Sequence, residues 1–139
     1  MKGVTFIELL MIVAIVMIIA AGASPFYVNL ISKNNLNSTA NGFESTLRKA
    51  QTYAVSGKDN TTWGVCVTGG NIRLFGGTCG SPSRKEEIGI PSGVSVTGFS
   101  TVTFTNLRGE PSSAFTFSVS NQAGSKSIII NASGNVSTN

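Results

Sequence analysis

One carboxylate, Glu8, lies in an otherwise uncharged apolar run at residues 4–23, shortly after the basic residue Lys2. About 20 apolar residues form a helix of roughly 30 Å, which matches the hydrocarbon thickness of a bilayer. A charged side chain in hydrocarbon costs roughly 2.5–3.5 kcal/mol on insertion scales, so it implies a partner or a functional use. The run therefore predicts a helix able to span a membrane, in which Glu8 needs a positive partner.

Two ordinary interpretations of the N-terminus compete. Residues 20–24 are small, as at secretory cleavage sites, so the run is a candidate signal peptide that is removed after export. A plain uncleaved anchor is the second interpretation, with Glu8 reaching toward the cytoplasmic surface and favoured by the dipole at the helix N-terminus. An ordinary signal peptide, however, has no use for an acid in this position.

The segment KGVTFIELL, residues 2–10, resembles the class III signal of type IV prepilins and pseudopilins. In that family a short basic leader ends in glycine and is followed by a hydrophobic residue, threonine, two apolar residues and glutamate. The resemblance implies that a membrane-embedded prepilin peptidase cuts between Gly3 and Val4 and methylates the new amine of Val4. The sequence departs from the family in having valine where phenylalanine is most frequent, and in having one basic residue in its leader.

Cleavage would create the partner that Glu8 lacks, because a free α-amine at Val4 is a cation at neutral pH. Opposite charges attract far more strongly in apolar surroundings than in water. By the resemblance, Glu8 pairs with the amine of a neighbouring subunit, and Val4, Thr5 and Glu8 form the assembly site. An internal pair between Val4 and Glu8, one helical turn apart, is the alternative.

The helical pattern continues to about Ser56. Pro25 removes an intrahelical hydrogen bond, which predicts a kink or a locally melted stretch between Gly22 and Pro25. Further on, apolar residues recur at spacings of four and three, which predicts an amphipathic helix packed on a sheet. These residues are Leu36, Ala40, Phe43, Leu47, Ala50 and Ala54.

After Gly57 the pattern changes to alternation, which indicates strands joined by glycine-containing turns. The predicted strands are residues 63–67, 72–75, 94–99, 102–105, 114–119 and 127–130, with a short last one near Val136. The charged run Arg84, Lys85, Glu86, Glu87 is interpreted as a solvated loop. The fold class is therefore α+β, with a long N-terminal helix packed on an antiparallel β-meander.

The second half narrows the resemblance. The segments FESTLRKAQTYAVSGK and WGVCV, residues 43–58 and 63–67, are similar to the helix-to-first-strand region of the GspH/FimT group of pseudopilins and minor pilins. The segments FTNLRGEP and SIIINASGNV, residues 104–111 and 127–136, resemble that group's late strands. The implied pilin organisation is a leader at 1–3, a transmembrane or filament-core helix at 4–24, an amphipathic helix at 25–57 and a β-sheet head at 58–139.

Cys66 and Cys79 are the two cysteines, and the chain has no histidine. Two thiols alone do not hold a structural metal, so no metal or other cofactor is expected. In an oxidising exterior a disulfide between them is the natural reading, and it would stabilise the fold by about 3 kcal/mol. Two buried free thiols are the alternative.

Catalysis is difficult to build from this composition. Without histidine a Ser-His or Cys-His nucleophile is excluded, and the adjacent acids Glu86 and Glu87 point to opposite faces of an extended segment. No catalytic residue and no enzymatic activity are therefore expected.

Nucleic-acid binding is the main rival function, because some FimT-type minor pilins take up DNA with an arginine-rich C-terminal tail. The corresponding residues here, 133–139, contain neither lysine nor arginine. The remaining cations are scattered along the chain, which does not favour the phosphate contacts that DNA binding needs. A DNA-uptake receptor therefore stays an alternative, as does a plain membrane-anchored surface binding domain.

The sequence as a whole predicts a structural subunit of a type IV pilus or a type II secretion pseudopilus. Its implied partners are other pilin or pseudopilin subunits, the prepilin peptidase and an inner-membrane assembly platform. Before assembly it would cross the inner membrane once, and after assembly it would belong to an extracellular or periplasmic filament.

Overall fold

The computed structural model describes residues 3–139, so Met1 and Lys2 of the predicted leader lie outside the described residues. The side chains of residues 22–25 are also outside them, and the kink predicted at Gly22 and Pro25 stays a prediction. One helix, α1 (Phe6–Val55), is followed by a turn of 3-10 helix (Lys58–Asn60) and eight strands. The strands are β1 (Trp63–Thr68), β2 (Asn71–Gly77), β3 (Pro82–Gly89), β4 (Ser95–Thr97), β5 (Val102–Phe104), β6 (Phe115–Asn121), β7 (Gly124–Ile130) and β8 (Val136–Thr138).

The helix α1 begins later and ends earlier than the sequence pattern suggested, at Phe6 and Val55. Its end is fixed by Gly57, which has φ 62° and donates its backbone N–H to Ala54 O at 3.1 Å. Glycine adopts this left-handed conformation without the steric penalty of a Cβ atom, so it is the usual residue just past a helix. The backbone N–H of Leu107 reaches the same Ala54 carbonyl at 2.9 Å, which ties the helix end to the loop after β5.

The strands form two antiparallel sheets of four strands each, whereas the sequence suggested one meander. Sheet A has the order β3-β2-β1-β5, and sheet B has the order β4-β6-β7-β8. Consecutive strands are neighbours in both sheets, so meander connections are present within each. The chain passes from sheet A to sheet B after β3, returns through β5, and then completes sheet B.

The prediction of a solvated loop around residues 84–87 is wrong, because these residues lie in β3. Arg84, Lys85, Glu86 and Glu87 pair in register with Gly76, Phe75, Leu74 and Arg73 of β2. Every residue of β3 after Pro82 is exposed, so the strand carries none of the apolar alternation by which strands are predicted. The expectation that Glu86 and Glu87 point to opposite faces agrees with their partners, Lys49 on α1 and Arg73 on β2.

The core lies between the C-terminal part of α1 and the inner faces of both sheets. All six residues of the predicted helical stripe are buried, from Leu36 at 5% exposure to Ala54 at 0%. Phe43 fits against Phe99 and Phe117, with ring centroids 5.2 and 5.0 Å away. Tyr53 contacts Trp63 at 4.8 Å near the other end of the stripe. The predicted packing of the helix on a sheet is therefore confirmed.

Candidate functional site

The helix α1 has two parts with opposite surroundings, which we call the anchor half (residues 6–31) and the head half (residues 32–55). In the anchor half the large apolar side chains are exposed, several by more than two-thirds of their surface. They are Phe6, Ile7, Leu9, Leu10, Met11, Ile12, Val13, Ile15, Val16, Met17, Ile18, Ile19, Phe26, Tyr27, Val28, Leu30 and Ile31. By length and composition α1 is apolar enough to cross a membrane.

Glu8 lies in the first turn of the anchor half. The helix starts after Thr5, whose backbone is extended and whose carbonyl accepts the N–H groups of Glu8 and Leu9 at 3.1 and 3.2 Å. The Thr5 side chain makes no capping hydrogen bond, so the first amides of the helix keep their partial positive charge near the Glu8 carboxylate. The six ion pairs among the described residues all lie in residues 44–110, and none involves Glu8.

The predicted cleavage and assembly residues lie at and just before the start of α1. Gly3, Val4 and Thr5 precede the helix as exposed, non-helical residues. An unwound segment is the conformation that a peptidase needs, since the scissile bond must leave any helix to enter an active site. Val4 lies before the helix and Glu8 lies in its first turn. The assembly role of Val4, Thr5 and Glu8 stays a prediction.

The head half is held by polar contacts as well as by the core. Asn121 Nδ2 donates to the Ser32 carbonyl at 2.6 Å, and Gln51 Nε2 donates to the Gly109 carbonyl at 3.2 Å. Arg48 bridges Glu44 at 2.8 Å and the Val136 carbonyl at 3.2 Å. These bonds reach sheet B and the loop after β5, and the ion pair between Lys49 and Glu86 reaches β3 of sheet A. The helix and the β-sheet head (residues 58–139) therefore form one unit.

A disulfide joins Cys66 of β1 to Cys79 in the β2–β3 connection, with a Cα–Cα distance of 6.3 Å. It holds the connection over the outer face of sheet A, where Arg73 donates to the Cys79 carbonyl at 3.0 Å. Phe75 is buried, and its ring lies against Gly64, where an added Cβ would come within 2.7 Å of it. The disulfide therefore ties the β2–β3 connection to β1.

Six lysine and arginine side chains of the head half and the β-sheet head are paired with carboxylates. Among the described residues, Arg48, Lys49, Arg73, Arg84, Lys85 and Arg108 each lie within 4 Å of a carboxylate. Lys58 instead lies over the Tyr53 ring, with its ammonium 3.6 Å from the centroid. Paired cations release fewer counterions on meeting a phosphate backbone, so this arrangement gives nucleic-acid binding no support.

Sequence reasoning missed one feature, an open recess of about 350 Å³ beside β3. It is lined by Lys58, Asp59, Trp63, Arg84, Lys85 and Glu86. The recess was missed because residues 84–86 were assigned to a loop, and a loop gives no register against Trp63. The sequence carries no periodic signal for the recess, because its lining comes from two separate segments, residues 58–63 and 84–86.

Comparison with known proteins agrees with this architecture. The family described as type II transport protein GspH matches residues 39–134. This range covers more than half of the chain, from the head half of α1 to the turn before β8. The chain belongs to the GspH family. No curated protein sequence matches it significantly.

The fold of this GspH-family chain is shared by a solved structure, the minor pseudopilin EpsH from the type 2 secretion system of Vibrio cholerae. The two align with a TM-score of 0.57 at 12% sequence identity, covering 76% of this chain and 96% of the other. The GspH-family chain is thus a pseudopilin of the GspH type with the α+β pseudopilin fold. Proteins of this type are structural subunits and not enzymes.

Proposed function

We propose that this GspH-family chain is a minor pseudopilin that is cut between Gly3 and Val4, methylated at Val4, and assembled through α1. The observation that carries the proposal is the anchor half, which exposes apolar side chains both before residue 22 and after residue 25. Such a surface is far larger than the isolated apolar patches of soluble proteins, so it needs a membrane or other apolar helices around it. The membrane would surround the anchor half before assembly, and the anchor halves of neighbouring subunits would surround it in a filament whose core is a bundle of these helices.

Within that bundle Glu8 has a specific use. The carboxylate lies at the start of α1, where the partial positive charge of the first amides reduces the cost of placing it in apolar surroundings. A freed Val4 amine from a neighbouring subunit would neutralise it and fix the axial position of one helix against the next. In apolar surroundings such a pair is strongly coupled, so loss of one partner leaves an uncompensated charge.

The proposal is tested with two glutamates on the same helix. Glu8→Gln removes the acid of the anchor half, and Glu44→Gln removes the only other acid of α1, which lies in the head half. We expect Glu8→Gln to be exported and cut but to enter filaments at less than about a tenth of the normal level, since a tenfold loss corresponds to only 1.4 kcal/mol. Glu44→Gln should assemble normally.

The measurements are the amount of subunit in sheared or purified filaments and the N-terminal mass of that material. Mature subunits should begin with a methylated Val4. Filaments with a normal content of the Glu8→Gln protein would contradict the role given to the acid. Assembled subunits that keep residues 1–3 would contradict the processing step and reduce the protein to a tethered surface domain.

A further inference from the structure

We propose that the free edge of β3 is a docking site for an extended, acidic segment of another protein, which adds to sheet A as a further strand. The recess that contains Trp63 receives one of its carboxylates. This inference depends on the head alone, and it stands or falls independently of how the N-terminus is processed.

The first observation is the hydrogen-bonding direction along β3. Ile90 N–H donates to the Gly70 carbonyl at 2.9 Å, and antiparallel pairs alternate between bonded and non-bonded positions. By the register of the two strands, Arg84, Glu86 and Ile88 therefore turn their main chain toward β2. The main-chain groups of Ser83, Lys85, Glu87 and Gly89 consequently face away from the sheet, and β3 has no second strand neighbour among the described residues.

The second observation is that β3 is the longest open edge among the described strands. The outer edge of β5 is covered, because Thr103 and Thr105 carbonyl and amide groups bond to residues 110 and 112. In sheet B the edge strands β4 and β8 have three residues each, whereas β3 has eight. Eight extended residues with four free backbone positions are enough for another strand to pair with this edge. In this mode of recognition the main-chain hydrogen bonds give the affinity.

The third observation is the recess at the start of this edge. Trp63, Gly76 and Arg84 are direct partners across β1, β2 and β3, so they lie in one row on one face of the sheet. A Cβ at Gly76 would stand 3.2 Å from the Thr61 methyl and 3.5 Å from the Trp63 ring, so the absence of a side chain lets these groups pack on the sheet there. The recess itself lies between Trp63 and Arg84, which both line it. Lys58 closes the recess on the helix side, held over the Tyr53 ring, while the Trp63 indole N–H donates to the Lys58 carbonyl at 2.9 Å.

The charge of the recess selects an anion. Its lining contains three cations, Lys58, Arg84 and Lys85, and two acids, Asp59 and Glu86. Glu86 is already bound by Lys49 from α1, a hydrogen bond that raises the pKa of the Lys49 ammonium. Asp59 is 3.7 Å from Arg84, which is a loose contact in which Arg84 stays 71% exposed. Lys85 is 3.9 Å from Glu87, a carboxylate that Arg73 also binds at 2.7 Å. With these ion-pair partners included, five cations (Lys49, Lys58, Arg73, Arg84 and Lys85) stand against three carboxylates (Asp59, Glu86 and Glu87). A positive surplus therefore remains beside β3, and it complements glutamate or aspartate side chains on an incoming strand.

Charged residues on an edge strand also serve a simpler purpose, which is to prevent pairing with other chains. The two roles give different results with a suitable probe. A protective edge binds no strand at all, whereas a docking edge binds an acidic strand and rejects its neutral analogue.

The experiment uses the full chain in neutral detergent micelles and reads the fluorescence of Trp63, the only tryptophan. The probe is a capped octapeptide of alternating glutamate and threonine. We expect a saturable fluorescence change that weakens with added salt and is lost when glutamine replaces glutamate. The same peptide with N-methyl groups on alternate amides should also fail, because it cannot form strand hydrogen bonds along one edge.

Two matched arginines provide the control. Arg84→Glu should weaken binding at least about tenfold, since it reverses the charge at the recess. Arg108→Glu makes the same change at an equally exposed arginine beside one carboxylate, in the loop that follows the opposite edge strand, and should change binding by less than about twofold. Arg84→Gln removes the positive charge without placing a second acid beside Asp59, so it separates loss of attraction from new repulsion. An unchanged circular dichroism spectrum would show that each variant is folded.

Several outcomes would overturn the inference. Absence of peptide binding would leave β3 as a protected edge. Equal binding of the N-methylated peptide, or of free glutarate, would reduce the recess to an anion site without strand addition. Binding that is as strong in Arg84→Glu as in the unaltered protein would remove the recess from recognition.

Discussion

The two halves of α1 belong to one continuous helix but obey different rules. In the head half the apolar residues form a narrow stripe that is buried against both sheets, and polar residues occupy the rest of the surface. In the anchor half apolar residues occur on every side of the helix, and its large apolar side chains are exposed where the structure describes them. A helix that is apolar on one side can bury that side against the rest of its own chain. A helix that is apolar all round needs a membrane or other molecules to cover its surface. The comparison separates folding from assembly within a single element.

The largest expected effect is the loss of a buried aromatic residue from the head half. Phe43 is fully buried among Phe99 and Phe117, so Phe43→Ala should lower the free energy of unfolding of the head by about 3–5 kcal/mol. Phe26→Ala removes the same ring from a site that is 75% exposed and should change this quantity by less than about 0.5 kcal/mol. Denaturant unfolding in detergent measures both. Equal losses would mean that the anchor half also supports the head.

Removal of the disulfide should give the next largest effect, confined to the head. The double substitution Cys66→Ser and Cys79→Ser opens a short loop and should cost about 3 kcal/mol of unfolding free energy. The helical signal in circular dichroism should remain, because neither cysteine contacts the anchor half. Intact mass with and without reductant, which differs by two hydrogens when the bond is present, checks the starting state. An unchanged unfolding midpoint under reducing conditions would contradict this prediction.

The smallest expected effect on head stability comes from enlarging one alanine in each half of α1. Ala54 is fully buried, so Ala54→Leu should overfill the contact with the sheets and destabilise the head by about 1–3 kcal/mol. Ala14 is exposed in the anchor half, and Ala14→Leu should leave head stability unchanged while making the helix slightly more apolar. Thermal unfolding of the two variants distinguishes them. A stable Ala54→Leu protein would show that the helix can move away from the sheets at that position.

Much of this structure could be predicted from the sequence, because buried apolar residues recur at the period of the helix or strand that carries them. The spacing of Leu36, Ala40 and Phe43 predicted the buried face of the helix, since each of these residues must point toward the sheets. Most of the interior strands were predicted for the same reason, with ends that shifted by one to three residues.

What the sequence did not reveal depends on contacts between distant residues. β3 is exposed along its length, and it is a strand only because β2 offers it a hydrogen-bonding partner. The division into two sheets was missed because β1 pairs with β5, whose sequence gives no indication of which strand it will join. The recess beside β3 could not be predicted either, because its position depends on the register of β1, β2 and β3 together.

The attachment of one helix to two sheets determines how the molecule bears mechanical load. The head half of α1 contacts β1, β2 and β5 of sheet A and β6, β7 and β8 of sheet B. A pull along the helix axis would therefore shear its interlocked side chains against both sheets together, and it would not peel them away one after another. A force applied to the anchor half inside a filament would thus be distributed over both sheets of the β-sheet head.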